Sequence, residues 1–248
     1  MLTKDIAICI RASDYSETSQ VLTFFTEKHG KISAIAKGSK RSKSAFDGAV
    51  EVFSCGQVVY SQPVTEKLAT LTEFEQKSCF SGLTRGLFCY HCALFGVELV
   101  NSMTDEMDAH PQLFQGLMEF LERLEEAAGA GENRREGLVL LVLFQLRVLT
   151  EVGLRPVLTA CVNCKNAFSE AWEGVFFSNE GKGLVCRDCE GGFMDKVRVS
   201  RKCAKSLSDM KLLVRAEEKT LVEIEKVLVS YFSDILGRRP RMARYVLG

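Results

Sequence analysis

The chain has 248 residues, of which 46% are hydrophobic and 26% charged, a composition typical of a globular protein with one large domain or two to three small ones. The formal net charge is zero, which excludes a net electrostatic attraction between the whole chain and nucleic acid. Binding to nucleic acid would therefore depend on local basic patches. A polar N-terminus and the lack of long apolar runs predict neither a signal peptide nor a membrane span, and ten cysteines without an export signal predict a reducing, cytoplasmic compartment.

Short alternating or apolar segments predict five β-strands in the first eighty residues. They cover residues 4–11, 21–26, 31–36, 50–60 and 68–74, and a bulge is expected at Gly56. Ile6, Ile8 and Ile10 alternate along the first strand and therefore share one face. Five short strands separated by turn residues predict a small barrel of the oligonucleotide-binding kind, because closing the sheet removes its exposed edges.

A run of cations without an intervening acid extends from residue 28 to residue 43. Its members are Lys28, Lys31, Lys37, Lys40, Arg41 and Lys43. Gly38 and three nearby serines predict a mobile loop from Lys37 onward, which could follow a phosphate backbone without reading bases. A solvated loop without function is the alternative, because basic runs are common on protein surfaces. On the neighbouring strand, Phe24 and Phe25 point to opposite faces, and Phe25 is expected in the core, whereas stacking on bases needs an exposed ring.

Beyond residue 79 the apolar residues recur every three or four positions, which predicts helices. The predicted helices cover residues 79–103, 112–127, 136–152, 200–214 and 218–236. Pro111 is expected at the first position of the second helix, and Gly153 is expected to end the third. Cys89 and Cys92 share one face of the first helix and could ligate a metal, but buried packing cysteines are the preferred interpretation.

Four further cysteines form the most specific pattern in the chain. They are two C-x₂-C pairs, Cys161 with Cys164 and Cys186 with Cys189. Residues 175–178 and 184–185 predict a hairpin between the pairs, which would bring all four thiolates to one zinc ion. Four thiolates fill the coordination sphere, so this zinc would be structural. Two disulfides or four unrelated thiols are the alternatives.

Another basic segment follows the last predicted helix. It contains Arg238, Arg239, Arg241 and Arg244. Compensation of the helix dipole accounts for Arg238 and Arg239, whereas the rest favour contact with nucleic acid or an acidic peptide. No catalytic set is visible, because the three histidines are dispersed and no Walker loop, G-x-S-x-G or H-E-x-x-H motif occurs, so the chain is predicted not to be an enzyme.

A small basic barrel, a helical bundle and a Cys₄ ribbon inserted before the last helices resemble the bacterial recombination mediator RecO family. Four local segments carry the resemblance: Tyr15-Ser-Glu-Thr-Ser19, the stretch from Thr26 to Ser44, Gly153-Leu-Arg-Pro156 ahead of Cys161, and Ile235-Leu-Gly-Arg238. The chain departs from the family after residue 238, where a lysine-serine-arginine ending is more usual.

The resemblance implies a multidomain α+β fold. An OB-fold barrel that binds DNA and RecR would cover residues 1–79, and the helical domain would comprise residues 80–157 and 195–248. The zinc ribbon would occupy residues 158–194. Zinc is not required for activity throughout this family, but the four cysteines favour one structural Zn²⁺ here.

For function, the resemblance implies a non-catalytic, nucleoid-associated DNA repair and recombination mediator. Such a protein binds single- and double-stranded DNA, anneals strands, and acts with RecR and RecF in loading RecA onto DNA covered by single-strand-binding protein (SSB). The expected DNA contacts are Arg11, Lys31, Lys37, Lys40, Arg41 and Lys43. A helical groove for the acidic SSB tail is expected to involve Arg123, Arg147 or Arg215, with the C-terminal arginines as further contacts. The alternative is a zinc-ribbon scaffold that contacts DNA only through partners.

Overall fold

The computed structural model describes residues 2–41, 46, 48–61, 68–131 and 133–248, with Cys79 described by its backbone alone. The strands are β1 Leu2–Asp14, β2 Gln20–Thr26, β3 Gly30–Ala36, β4 Ser54–Ser61, β5 Ala69–Cys79, β6 Val175–Ser178, β7 Gly183–Cys186 and β8 Val197–Arg198. The α-helices are α1 Leu87–Met103, α2 Pro111–Gly129, α3 Arg134–Glu151, α4 Arg201–Ser208, α5 Met210–Arg215, α6 Glu218–Leu236 and α7 Ala243–Leu247. Within these described ranges, every helix is too short or too polar to cross a bilayer.

The first five strands hydrogen-bond in the order β1-β2-β3-β5-β4, and β4 pairs back with β1, so the order closes on itself. The contact between β3 and β5 is parallel and short, with Ala34 opposite Ala69 and Ile35 opposite Thr70. The expected bulge is confirmed by a register shift between Cys55 and Gly56. A Cβ at Gly56 would lie 2.1 Å from the carbonyl oxygen of Glu75, which requires glycine there. Strand β4 begins at residue 54 rather than 50, and β5 continues five residues beyond its predicted end at 74.

Alternate residues of β1 serve two different cores. Ala7 and Cys9 face the interior of the closed sheet, whereas Ile8 and Ile10 face outward and pack among the helices. The isoleucines therefore share a face as predicted, and that face is the interface with the helical region. Phe25 packs against Phe114 of α2, with ring centroids 6.1 Å apart. Phe25 is buried as expected. The opposite face of β2 is also core, so Phe24 is buried inside the closed sheet.

The segment between α1 and α2 fixes the edge of β3 to the helices. The backbone N–H of Met107 donates to the carbonyl of Lys31 over 2.9 Å, and the Ser33 hydroxyl donates to Glu106 over 2.7 Å. Gly30 has a φ of 72°, and a Cβ there would lie 1.9 Å from the carbonyl oxygen of Asp108. This close approach admits only glycine, so the joint between the sheet and the helices depends on residue 30.

The helical core is built around α3, which contacts α1, α2 and α6. Pro111 occupies the first turn of α2 as predicted, and Gly153 has the positive φ expected after α3. Two helix predictions were wrong. The predicted helix from residue 79 begins only at Leu87, because β5 runs to residue 79 and a short 3₁₀ segment, Ser81–Arg85, follows. The predicted helix 200–214 is two helices, because the side chain of Asp209 accepts the N–H of Lys211 and starts α5.

Strands β6, β7 and β8 form a separate three-stranded sheet between α3 and α4, in the order β7-β6-β8. The predicted hairpin is confirmed, and Val175 lies opposite Cys186. One face of this sheet joins the helical core: the ring of Phe177 lies edge-on to Tyr231 at 5.7 Å, and the Tyr231 hydroxyl donates to the Leu154 carbonyl. The other face packs against the cysteine cluster.

Candidate nucleic-acid interface and metal centre

A buried glutamine connects the start of the basic loop to the closed sheet. Gln20, at the first position of β2, accepts the hydroxyl of Ser39 at 2.9 Å through its side-chain oxygen. The same oxygen accepts the backbone N–H of Val50 at 3.0 Å, and the side-chain nitrogen donates to the carbonyl of that residue at 3.1 Å. Because a buried amide must keep its hydrogen bonds, these contacts fix three chain segments at one end of the sheet.

The loop between β1 and β2 is hydrogen-bonded directly to the basic loop. The hydroxyl of Ser19 accepts the N–H of Gly38 at 3.2 Å, and the carbonyl of Thr18 accepts the N–H of Lys40 at 3.1 Å. The N–H of Arg41 then donates to the Gly38 carbonyl at 3.1 Å, which closes a turn. The first part of the basic loop, up to Arg41, is therefore hydrogen-bonded to the β1–β2 loop, while Ser42 and Ser44 of the predicted mobile loop lie outside the described residues.

This surface exposes the predicted cations unequally. Lys37 and Arg41 are exposed, and Arg11 is exposed on β1. Lys40 forms an ion pair with Asp14 at 2.5 Å and keeps 25% of its side chain accessible. A partly exposed pair of this kind is weak, so an incoming phosphate could replace the carboxylate. Lys43, the remaining predicted contact of this loop, lies outside the described residues.

Lys31 is held elsewhere. Its ammonium donates to the carbonyls of Asn101 at 2.7 Å and Thr104 at 2.6 Å, at the C-terminal end of α1. Burial lowers the pKa of Lys31, while the nearby carboxylates of Glu106 and Asp105 oppose that shift. A cation on the free carbonyls of a helix end is a stabilising arrangement, so we leave Lys31 out of the phosphate-binding set.

A second basic surface, shaped as a groove, lies at the junction of the closed sheet and the helices. Its volume is about 460 Å³, and Arg11, Arg238 and Arg241 contribute to its wall. Glu98 of α1 forms the link: its two carboxylate oxygens accept the N–H groups of Arg241 and Met242, both at 2.8 Å. The sequence placed Arg11 and the C-terminal arginines in separate patches, whereas the fold brings them together.

The other two C-terminal arginines are also exposed. Arg239 follows α6, and the guanidinium of Arg244 lies over the ring of Tyr245 at 4.6 Å and donates to its hydroxyl. Tyr245 in turn packs on the ring of His91 of α1, with centroids 4.8 Å apart. The C-terminal segment is thus folded onto α1, which the sequence did not predict.

A groove of about 350 Å³ lies between α2 and α3. Its floor is apolar, with Phe120 and Phe144 stacked at 4.4 Å, and Arg123, Arg147 and Arg155 contribute to its lining. The structure therefore brings together two of the three arginines predicted for an acidic peptide. Among the described residues, Arg215 is exposed on α5 and does not line this groove. The residue that α5 contributes to the lining is Met210.

Arg147 has an ordered position in this groove. Its guanidinium donates to Glu119 and to the carbonyl of Gln112, each at 2.9 Å. A Cβ at Gly116 would lie 2.4 Å from Nε of Arg147, so the absence of a side chain at residue 116 lets the arginine lie across α2.

The four cysteines predicted to bind metal converge on one point. The sulfur atoms of Cys161, Cys164, Cys186 and Cys189 all lie within 4.8 Å of one another. The sulfurs of Cys164 and Cys186 are 3.7 Å apart, which matches the edge of about 3.8 Å of a tetrahedron with Zn–S bonds of about 2.3 Å. The Asn163 side-chain amide donates to the Cys189 sulfur at 3.3 Å. The cluster is compatible with one structural metal ion held by four sulfur donors.

The local backbone favours a thiolate at the first cysteine. Burial raises the pKa of Cys161, but hydrogen bonds from the backbone outweigh burial and lower this pKa to about 7. Burial raises the pKa of Cys186 to about 12, and hydrogen bonds with the neighbouring thiols act in the same direction. A bound metal ion would favour the thiolate form of all four cysteines, because metal coordination deprotonates thiols. Cys89 and Cys92 are fully buried in the apolar helical core and, among the described residues, join no group of three or more potential metal ligands, which agrees with their interpretation as packing residues.

Two polar residues that organise these surfaces were not singled out from the sequence. Gln20 opens an apolar strand and Glu98 interrupts an apolar helix. Each is a polar residue at a position where the hydrophobic periodicity predicts an apolar one, and this mismatch could have identified them. The mismatch does not reveal their hydrogen-bond partners.

Comparisons with known proteins agree with this architecture. Residues 1–80 match the family "Recombination protein O N terminal", and residues 86–244 match "Recombination protein O C terminal". A DNA repair protein RecO of Alkaliphilus metalliredigens is 33% identical over 241 residues, covering 96% of this chain and 90% of the relative. The RecO of Bacillus subtilis is 29% identical over 254 residues, covering 99% and 94% respectively. The chain therefore belongs to the RecO family of DNA repair and recombination proteins.

Proposed function

We propose that the chain is a non-catalytic recombination mediator that binds single- and double-stranded DNA through the end of the closed sheet. The observation that carries this proposal is the hydrogen-bonded basic surface formed by Lys37, Lys40 and Arg41. Lys43 belongs to the same basic run of the sequence and lies outside the described residues. We take the closed sheet to be an OB-fold, a domain that binds oligonucleotides on one face and through its loops. Hydrogen bonds from the β1–β2 loop position these cations, which supports a built surface over a solvated tail.

The groove at the junction of the closed sheet and the helices offers a second basic surface. Arg11, Arg238 and Arg241 line it, and Arg239 and Arg244 lie on the same C-terminal segment. We propose that a DNA strand held at the basic loop continues along these arginines. Two strands held near one basic surface repel each other less, so strand annealing would follow from charge neutralisation alone.

The groove between α2 and α3 suits the acidic C-terminal tail of SSB. An acidic peptide with an apolar end needs an apolar floor and a cationic rim, which Phe120 and Arg123 supply together with Arg147. We propose that this contact brings the chain to SSB-covered DNA, where it acts with RecR and RecF to assist RecA loading. The family membership supports this role, and the groove gives it a candidate site.

The Cys₄ cluster is proposed to hold one Zn²⁺. Four thiolates on one Zn²⁺ would leave no open coordination position, so the ion would hold the ribbon together and take no part in chemistry. The ribbon packs on α6 through Phe177 and Tyr231, so a folded ribbon also braces the helical domain.

The alternative function is a protein-interaction scaffold that reaches DNA only through partners. The two functions differ in whether the purified chain binds a fluorescent single-stranded oligonucleotide at low salt. We expect direct binding that weakens at least about tenfold when Lys37, Lys40, Arg41 and Lys43 are all replaced by glutamine. The matched control replaces four exposed lysines of the last helices by glutamine: Lys202, Lys211, Lys219 and Lys226.

The control variant should bind like the wild type, because it loses the same charge at a distance from the proposed surface. Equal weakening in both variants would indicate non-specific attraction. An unaltered affinity in the first variant, or no binding by the wild type, would favour the scaffold.

A further inference from the structure

One aromatic side chain stands beside the basic surface without a packing role in the core. All sixteen phenylalanines, five tyrosines and the tryptophan lie in the described part of the chain, and only Tyr15 and Tyr245 among them are exposed. Tyr245 is 44% exposed and is covered by Arg244 and His91. Tyr15 is 68% exposed, in the loop between β1 and β2. The other twenty of these twenty-two aromatic residues are at least partly buried, so the ring of Tyr15 is the uncovered one that is available for a contact.

Hydrogen bonds hold the backbone of Tyr15 against the basic loop. The carbonyl of Ser19 accepts the N–H of Tyr15 at 2.9 Å, and the hydroxyl of Ser19 accepts the N–H of Gly38 at 3.2 Å. A Cβ at Gly38 would lie 3.5 Å from Cδ of Arg41, so the arginine side chain lies over the residue that is bonded to Ser19. The tyrosine and the cations are therefore parts of one surface, connected through Ser19.

We propose that Tyr15 is a base-stacking residue for single-stranded DNA. The inference rests on the proposed function, because the strand must first be held by its phosphates. Proteins that bind unpaired strands combine a cationic track for the backbone with aromatic rings on which bases stack. The two phenylalanines of β2 are buried and cannot serve, whereas the exposed ring of Tyr15 can.

The local charges favour this role for an unpaired strand. Asp14 and Glu17 flank the tyrosine, and the carboxylate of Asp14 holds Lys40. These carboxylates repel phosphates from the immediate surroundings of the ring, while the exposed cations Lys37 and Arg41 attract them. Stacking needs a base that is turned out of a helix, so this contact makes the surface prefer single strands over duplex.

The test compares two fluorescent strands of equal length and charge, an oligothymidine and its abasic counterpart, by anisotropy at one salt concentration. We expect wild type to bind oligothymidine about tenfold more tightly than the abasic strand. Tyr15→Ala should remove that difference without weakening abasic binding, and Tyr15→Phe should retain it. Met194→Ala, which truncates another exposed large side chain on the segment before β8, is the control and should leave both affinities unchanged.

Two results with Tyr15→Ala would overturn the proposal: an unaltered oligothymidine affinity, or an equal loss on both strands, which would indicate a structural effect on the loop. Binding of the abasic strand distinguishes the stacking proposal from the proposed phosphate binding on which it rests. If wild type binds the abasic strand as tightly as oligothymidine, the stacking contact is wrong and phosphate binding stands. If wild type binds neither strand, the DNA-binding function fails as well.

Discussion

Gln145 of α3 donates a hydrogen bond from Nε2 to Oε1 of Glu225 of α6 over 2.8 Å, and both side chains are fully buried between the two helices. The remaining oxygens, Oε1 of Gln145 and Oε2 of Glu225, have no hydrogen-bond partner among the described residues. Burial raises the pKa of Glu225 to about 7, and the amide donor lowers it only in part. A protonated carboxyl is a donor that complements the free oxygen of the amide, so the neutral acid is the form that suits this site.

This pair predicts that stability falls as the pH rises. The unfolded chain loses the Glu225 proton near its ordinary pKa of about 4.3, whereas the folded chain keeps it to about 7. The folded state binds more protons between these values, so the free energy of unfolding decreases across that window by about 2–3 kcal/mol. Denaturant unfolding of wild type and Glu225→Gln at several pH values checks this. In Glu225→Gln the free energy of unfolding should no longer decrease with pH across this window. Glu126→Gln, an exposed control on α2, should show the same decrease as wild type. An identical pH profile in all three proteins would contradict the account.

Lys31 should matter for stability and little for DNA. Its ammonium caps the carbonyls of Asn101 and Thr104, and hydrogen bonds from a charged donor contribute about 1.5–3 kcal/mol each. We expect Lys31→Met to lower the free energy of unfolding by about 1.5–3 kcal/mol, while the affinity for an oligonucleotide changes less than about twofold. Chemical denaturation and anisotropy measure the two effects. A variant of normal stability with weakened DNA binding would return Lys31 to the phosphate-binding set.

Removal of the metal should loosen the ribbon selectively. We expect elemental analysis to find about one zinc ion per chain in protein purified under reducing conditions without chelator. Cys164→Ser should lose the ion and open the segment between residues 158 and 194 to protease, because the ribbon's own core is small. Cys89→Ala, in α1, should retain it. Wild-type protein without metal, or protease cleavage unaffected by Cys164→Ser, would refute the structural role.

The groove between α2 and α3 predicts a charge-dependent peptide site. Arg123→Glu should weaken binding of an SSB tail peptide about tenfold or more, because reversal places a carboxylate beside an acidic ligand. Arg215→Glu has the same change in charge on α5, outside the groove, and should have little effect. Titration calorimetry with the tail peptide distinguishes them. Equal losses in both variants would mean that the attraction is general and that the groove is not the site.

Several parts of the fold followed from local sequence, and others depended on contacts that no local pattern records. The C-x₂-C spacing and its hairpin placed four sulfurs together because a knuckle and a turn are short-range structures. The alternation of Ile8 and Ile10 predicted a shared face, but periodicity cannot tell which of two cores that face joins.

The candidate interface was predictable in its charges and not in its construction. Lys37 and Arg41 are exposed as a basic loop implies, whereas Lys31 is seventy residues from the helix end that it caps. The meeting of Arg11 with Arg238 depends on Glu98, which holds the C-terminal segment. Such pairings require the packed tertiary structure, since each partner is unremarkable in its own segment.

The most direct test of the central claim is the salt dependence of single-stranded oligonucleotide binding. Each phosphate that the protein neutralises adds about −0.7 to the slope of log K against log salt concentration for a single strand. If Lys37, Lys40, Arg41 and Lys43 hold phosphates, their replacement by glutamine should make the slope less negative by about 2 to 3. The four-lysine control on the last helices should keep the wild-type slope. An unaltered slope in the loop variant would contradict direct phosphate binding by this surface.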